Sequence, residues 1–157
     1  MNMSNNRKLI EDFLNEEGWV YEADEESIAI DFQAGSCLIS VLILESEKNV
    51  AVYSRLPFTI EENKFSVISE LLHRLNDTII NGSFVLDYNN EVIEYRTGIS
   101  FVNLKLSKEL FENIFMTSIV TADMNAKLIM TVLSTEISAK DAIEAAEAKE
   151  APQTNTD

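Results

Sequence analysis

Between residues 4 and 17, apolar side chains recur at Leu9, Ile10, Phe13 and Leu14, the spacing of one helical face. Ser4 or Asn5 stands where an N-cap belongs, and Gly18 stands where a helix ends. Trp19 begins an extended segment that leads to an acidic turn from Ala23 to Glu26. SIAIDFQAG, CLISVLILES and NVAVYSRLPF then read as three strands divided by turn residues. In the first, Ile28, Ile30 and Phe32 alternate with Ala29 and Asp31. In the second both faces are apolar, which predicts a central strand covered on both sides.

Thr59-Ile60-Glu61-Glu62 has the form of a capping box, Thr at the N-cap and Glu three residues on. Behind it Phe65, Ile68, Leu72, Leu75 and Ile79 form the stripe of a long helix that ends before Asn81-Gly82. A hairpin follows, with Phe84, Leu86 and Tyr88 on one face of its first strand and a tight loop at Asn89-Asn90. From Ser107 the period is helical again through Leu110, Phe111, Ile114, Phe115, Ser118 and Ile119. It then continues or restarts through Leu128, Ile129, Val132 and Leu133. A second box, Ser138 to Asp141, opens an alanine-rich helix. Strands grouped in runs predict an α+β fold with a mostly antiparallel sheet of about five strands and flanking helices, in the order α-β-β-β-α-β-β-α-α. The hairpin joins that sheet only if the long helix crosses one of its faces.

Length and charge narrow the function. A chain of 157 residues, 46% hydrophobic, makes one domain that buries roughly 70% of its unfolded surface. The expected boundaries are a single domain over residues 1–150, including the last helix, and a disordered tail over 151–157. One cysteine, Cys37, forms no internal disulfide, and no Cys/His cluster suggests zinc. MNMSNNRKLIEDF lacks the apolar core of a signal peptide and no long apolar run suggests a membrane span, so the expected location is cytoplasmic. A net charge of −15 repels phosphate backbones, and Arg7-Lys8 and His73-Arg74 are too few to release counterions. Neither nucleic acid nor an anionic membrane is an expected partner.

Candidate chemistry is sparse. His73, the sole histidine, falls off the helical stripe and reads as a solvated residue, since a general base needs a positioned partner. Cys37 has no His or basic run beside it and reads as a structural thiol. Glu22, Asp24, Glu25 and Glu26 lack the alternation and central Gly of a calcium loop, and Asp87, Asn89 and Glu91 span too tight a turn. With four glycines and no phosphate loop, nucleophile elbow or dinucleotide fingerprint, no catalytic, cofactor-binding or metal residue is assigned. On the hairpin, Tyr95 and Arg96 point to opposite faces, Tyr95 to pack and Arg96 toward solvent or Asp87. The helix from residue 107 to 133 carries an apolar surplus. Phe111, Phe115, Met124 and Arg96 are the candidates to contact a partner.

Leu75-Asn76, Asn81-Gly82-Ser83-Phe84, Leu86-Asp87, Val92 and Tyr95-Arg96-Thr97 resemble the "G-x-F … D … G-x-V-x-Y-R" hairpin of the YbjN family of bacterial proteins. Asp123 and the run SAKDAI, residues 138–143, resemble that family's later segments, the latter its "S-P-E-E-A-I" ending. The likeness runs over about residues 5–148. It departs at the hairpin turn, where Asn90-Glu91 stands in place of the family's Gly. The resemblance implies a fold like that of type III secretion chaperones and a small acidic protein that binds other proteins, often as a dimer, without known catalytic machinery. The leading expectation is therefore a non-enzymatic protein-binding module, chaperone-like or regulatory. The alternative is a small-molecule-sensing domain with a cavity near Trp19, Tyr53 and Phe84.

Overall fold

The computed structural model describes residues 4–150, with only the backbone of Glu150; the tail expected over 151–157 lies outside the described residues. Helix α1 spans Asn5–Glu16. Ser4 caps it by accepting the Arg7 N–H at 3.0 Å while its hydroxyl donates to Glu45 at 2.8 Å, so one side chain starts the helix and ties it to the sheet. Gly18, at φ +72°, ends it as expected.

The strands are β1 (Glu22–Ala23), β2 (Ser27–Gln33), β3 (Leu38–Glu45), β4 (Asn49–Thr59), β5 (Ser83–Asp87) and β6 (Val92–Ser100). They form one antiparallel sheet in the order β1-β2-β3-β4-β6-β5. That is six strands rather than about five, the extra one being the two-residue β1. Helix α2 (Phe65–Thr78) crosses from β4 to the edge strand β5, and β6 returns between them. Helix α3 (Lys108–Ser134) is continuous and packs on β3, β4 and β6. Helix α4 (Ala139–Glu150) docks on α2 and α3 through buried Ala139 and Ala142. Ser138 caps it, accepting the Asp141 N–H at 3.1 Å.

All the large apolar burial is on one side of the sheet. Ile28 and Ile30, Ile39, Val41 and Ile43, Val50, Val52 and Leu56, Ile93 and Tyr95 point toward the helices and are almost fully buried. Their pleat partners point the other way, where Ala29, Asp31, Ser40 and Arg55 are exposed and Leu42, Leu44 and Tyr53 only half-buried. The apolar pattern of β3 therefore does not mean cover on both faces: Leu38, on its outer face, is 46% exposed.

Three local expectations give way to long-range pairing. Thr59 is not a helix cap. It remains in β4, paired with Val92, and α2 starts six residues later after a 3-10 turn at Glu62–Lys64. The irregularity between Arg55 and Thr59 brackets Pro57, which has no N–H for the ladder. The hairpin loop holds four residues, 88–91, and its left-handed position is Glu91 at φ 57°, not an Asn. Tyr88 lies beyond the strand, exposed, with its ring 5.1 Å from Phe65.

One polar contact pierces the core. Ser54 on β4 and Ser118 on α3 are fully buried and share a hydrogen bond of 2.7 Å. Ser118→Ala strands the Ser54 hydroxyl and is expected to cost about 1–3 kcal/mol in urea denaturation. The double change Ser54→Ala/Ser118→Ala removes both groups and should cost less than that single one.

Candidate functional site

The outer face of the sheet is built by register. Glu22, Ala29, Leu42, Tyr53, Arg96 and Ser83 stand opposite one another strand by strand and form one row across it. Asp31, Ser40, Arg55, Glu94 and Val85 form the row beside it. On the other flank Leu44, Ala51 and Gly98 make a trough with little side-chain relief. Gly98 is small for a reason: a Cβ there would lie 2.9 Å from the Val50 carbonyl.

Where the two rows adjoin, Glu94 binds two arginines, Arg55 from its own row and Arg96 from the other. Arg55 donates to Oε1 through Nη2 at 2.7 Å and Nε at 3.1 Å; Arg96 donates to Oε2 through Nη2 at 2.8 Å and Nε at 3.0 Å. The side chain of Glu94 is 8% exposed, those of Arg55 and Arg96 47% and 39%. The carboxylate is thus covered by the guanidiniums it orients. Arg96 also lies over the Tyr53 ring, 5.1 Å from its centre, a cation–π geometry. Asp87, its expected partner, makes no ion pair with it and spends its hydrogen bonds on Asn89 and Asn90, though the Arg96 charge is felt at its carboxyl. Beside the cluster is a groove of about 530 Å³ whose lining includes Val20, Leu42 and Tyr53, the charged pair Arg55 and Glu94, and, on its far wall, Glu22 and Asp31. Val20, at its rim, is 89% exposed.

The other candidates have structural surroundings. Phe111 and Phe115 are fully buried, in a cluster with Phe13 and, through Phe115, Trp19 and Phe32. They are core and are not offered to a partner. Met124 is 76% exposed on α3, on the helical side of the molecule. Trp19, Tyr53 and Phe84 do not enclose one cavity: Trp19 and Phe84 pack on the helical side of the sheet, Tyr53 on the outer side. His73 is exposed near the groove between α2 and α4. Cys37 is half-buried; burial pushes its thiol up from the ordinary value and Asp123 adds to this, the opposite of an activated nucleophile.

The acidic turn is scaffolding. Asp24 accepts the N–H groups of Glu26 at 2.8 Å and Ser27 at 2.7 Å, which hold its carboxyl below the usual range. Arg7, unsuspected from sequence, is 5% exposed and crosses from α1 to donate to the carbonyls of Asp24 at 2.6 Å and Ser27 at 3.0 Å. Asp123 accepts the Ser36 N–H at 2.7 Å and so fixes the β2–β3 turn on α3. Among the described residues no group of three or more His, Cys, Asp or Glu is placed to hold a metal ion. No described helix is long and apolar enough to cross a membrane.

Asp87 organises the hairpin loop. It accepts from the Asn90 side chain at 2.8 Å and from the N–H groups of Asn90 and Asn89 at 3.1 and 3.0 Å, and these bonds hold its carboxyl below the ordinary aspartate value. A lowered folded pKa means stability present above the unfolded value, about 3.9, and lost as pH falls through the folded one. The melting temperatures of the wild type and Asp87→Ala should therefore differ most near neutral pH and converge below about pH 4. A gap that persists into strong acid would contradict this.

Comparison with known proteins adds a family and a fold. Residues 6–129 match the family model YbjN, described as "Putative bacterial sensory transduction regulator". The match includes the hairpin and Asp123 but stops before the SAKDAI run. No curated protein matches the sequence. The crystal structure of YbjN from E. coli, "a putative transcription regulator", is similar over 81% of this chain and 88% of that one, with TM-score 0.55 and 11% identity. A chain of the ExsC–ExsE complex is similar over 82% of this chain and 97% of its own, with TM-score 0.57 and 16% identity. At those identities the likeness is one of fold, and it matches the α+β architecture expected from the residue pattern and the type III secretion chaperone-like fold implied by the family resemblance.

Proposed function

The chain belongs to the YbjN family, and we propose that it is a non-enzymatic protein-binding module, a chaperone-like or regulatory adaptor that works in the cytoplasm as a homodimer. One observation carries this reading. The outer sheet face presents Leu38, Leu42, Leu44, Tyr53, Val85 and Val92 exposed or half-buried beside an oriented arginine pair, while the helices seal the opposite face. A contiguous, partly apolar face on a chain of charge −15 is the form of an interaction surface. The structural neighbour ExsC, seen in the ExsC–ExsE complex, lends the reading further support.

The test pairs two tagged variants in cell extract. Leu42→Glu/Leu44→Glu should lose the protein partner that the wild type retains, while Met124→Glu should keep it. Equal retention by all three, or a monomeric wild type in light scattering, would count against the reading. The sensing alternative uses the same groove: it predicts a thermal shift with a metabolite that Tyr53→Ala abolishes.

A further inference from the structure

We infer that Arg55, Glu94 and Arg96 form a carboxylate-reading site, at which a partner segment places one acidic side chain flanked by apolar residues. The inference rests on the proposal that the outer sheet face binds protein, and it specifies what that face selects.

The donor geometry is the starting point. A guanidinium has five N–H donors, and Glu94 takes two from each arginine, through Nε and Nη2. The remaining three on each, including both on Nη1, meet no acceptor among the described residues. Arg55 lines the groove, Arg96 stands on the next row over Tyr53, and the two side chains are 47% and 39% exposed. Glu94, buried beneath them, fixes both planes, so little side-chain freedom is lost when a ligand binds. A planar fork held this way suits the two oxygens of a carboxylate.

Charge gives the same answer and limits it. The cluster carries one net positive charge within a chain of −15. The acids nearby are spoken for: Asp31 accepts the Ser40 hydroxyl at 2.7 Å, and Asp87 holds its own loop. Glu22 also lines the groove, but on the strand furthest from the arginines, so it and Asp31 leave room for one carboxylate at the cluster and not for a second. A single carboxylate is favoured at the cluster, but a run of acids would be repelled by the body of the protein. The neighbours Leu42, Leu44, Ala51 and Tyr53 select apolar flanks.

The probe is a library of random 16-residue peptides displayed on phage and panned against the full chain. The comparison variant is Arg55→Gln/Glu94→Gln/Arg96→Gln, which removes the charges without leaving a buried carboxylate unpaired. Circular dichroism and melting temperature confirm that it folds. Selected peptides should carry one Asp or Glu between apolar residues. Replacing that acid by its amide should weaken binding to the wild type roughly tenfold or more, and binding to the triple variant by less than about twofold. Peptides that bind the face without an acidic preference, or with a preference the triple variant keeps, overturn the inference and leave the protein-binding proposal standing. Failure to select any peptide overturns both.

Discussion

Phe115→Ala is expected to destabilise the fold by about 3–5 kcal/mol, the usual cost of removing a fully buried phenylalanine. Phe115 is the hub of the cluster that joins α1, β2 and α3. Its ring is stacked with Trp19 at 5.5 Å, faces Phe13 edge-on at 6.2 Å and Phe32 at 6.5 Å, and lies 5.7 Å from Phe111. Side chains locked on several elements collapse poorly into a cavity, so both the transfer and the cavity contributions are large. Trp19 is the only tryptophan, which makes its fluorescence a reporter placed within the affected cluster. The midpoint in urea should fall sharply, while Met124→Ala, at a position 76% exposed, should stay within about 0.5 kcal/mol of the wild type. Loss of stability at Met124 comparable to that at Phe115 would mean that α3 is packed on a different face.

Gly82→Ala should be the other severe substitution. Gly82 has φ +102°, a region L side chains rarely adopt, at the entry to β5. A Cβ there would lie 2.5 Å from the Arg96 carbonyl and 2.8 Å from the Tyr95 hydroxyl. Neither obstacle yields easily: one is backbone in β6, and the other is tethered, since the Tyr95 hydroxyl donates to the Asn81 carbonyl. Backbone strain of about 1–3 kcal/mol and overpacking of about 1–3 kcal/mol together predict a loss of roughly 2–6 kcal/mol. It would show as a lower melting temperature and as disordered β5 amide signals. Gly18→Ala offers the contrast: its φ of +72° is also unfavourable, but open space surrounds it. It should suffer the conformational cost alone.

Elements whose spacing matches one local period are legible in the residues. Ile10, Phe13 and Leu14 announce α1, Phe111 to Ile119 announce the start of α3, and Ser4 and Ser138 cap helices as their positions suggest. The β2 alternation likewise predicts its buried face. What fails is whatever depends on partners distant in sequence. Thr59 has the local chemistry of a cap, but pairing with Val92 holds it in β4. Glu91, not Asn90, takes the left-handed turn position, because the register of Asp87 with Val92 leaves four residues in the loop.

The candidate site was the least legible part for a related reason. An apolar side chain that waits for a partner and one that fills a core look alike in sequence. The pattern alone therefore predicts cover for Leu42 and Leu44 on β3 and allows Phe111 and Phe115 a surface, where the fold half-exposes the first pair and buries the second. Strand alternation places Arg96 on the outer face, as found, but does not reveal its hold on Glu94, two residues away on the same strand. The signal that could have found the cluster was the repeat of Arg and Glu on one pleat phase of β4 and β6. It becomes specific only when register sets Arg55 opposite Glu94.

The claim that the outer sheet face receives the partner is tested most directly by site-specific photo-crosslinking in living cells. A photoreactive phenylalanine analogue at position 42 or 53 on that face, or at position 124 on α3, should report which surface a second protein touches. Adducts to another polypeptide from positions 42 and 53, with none from 124, are the predicted result. Adducts from position 124 with positions 42 and 53 silent would contradict it.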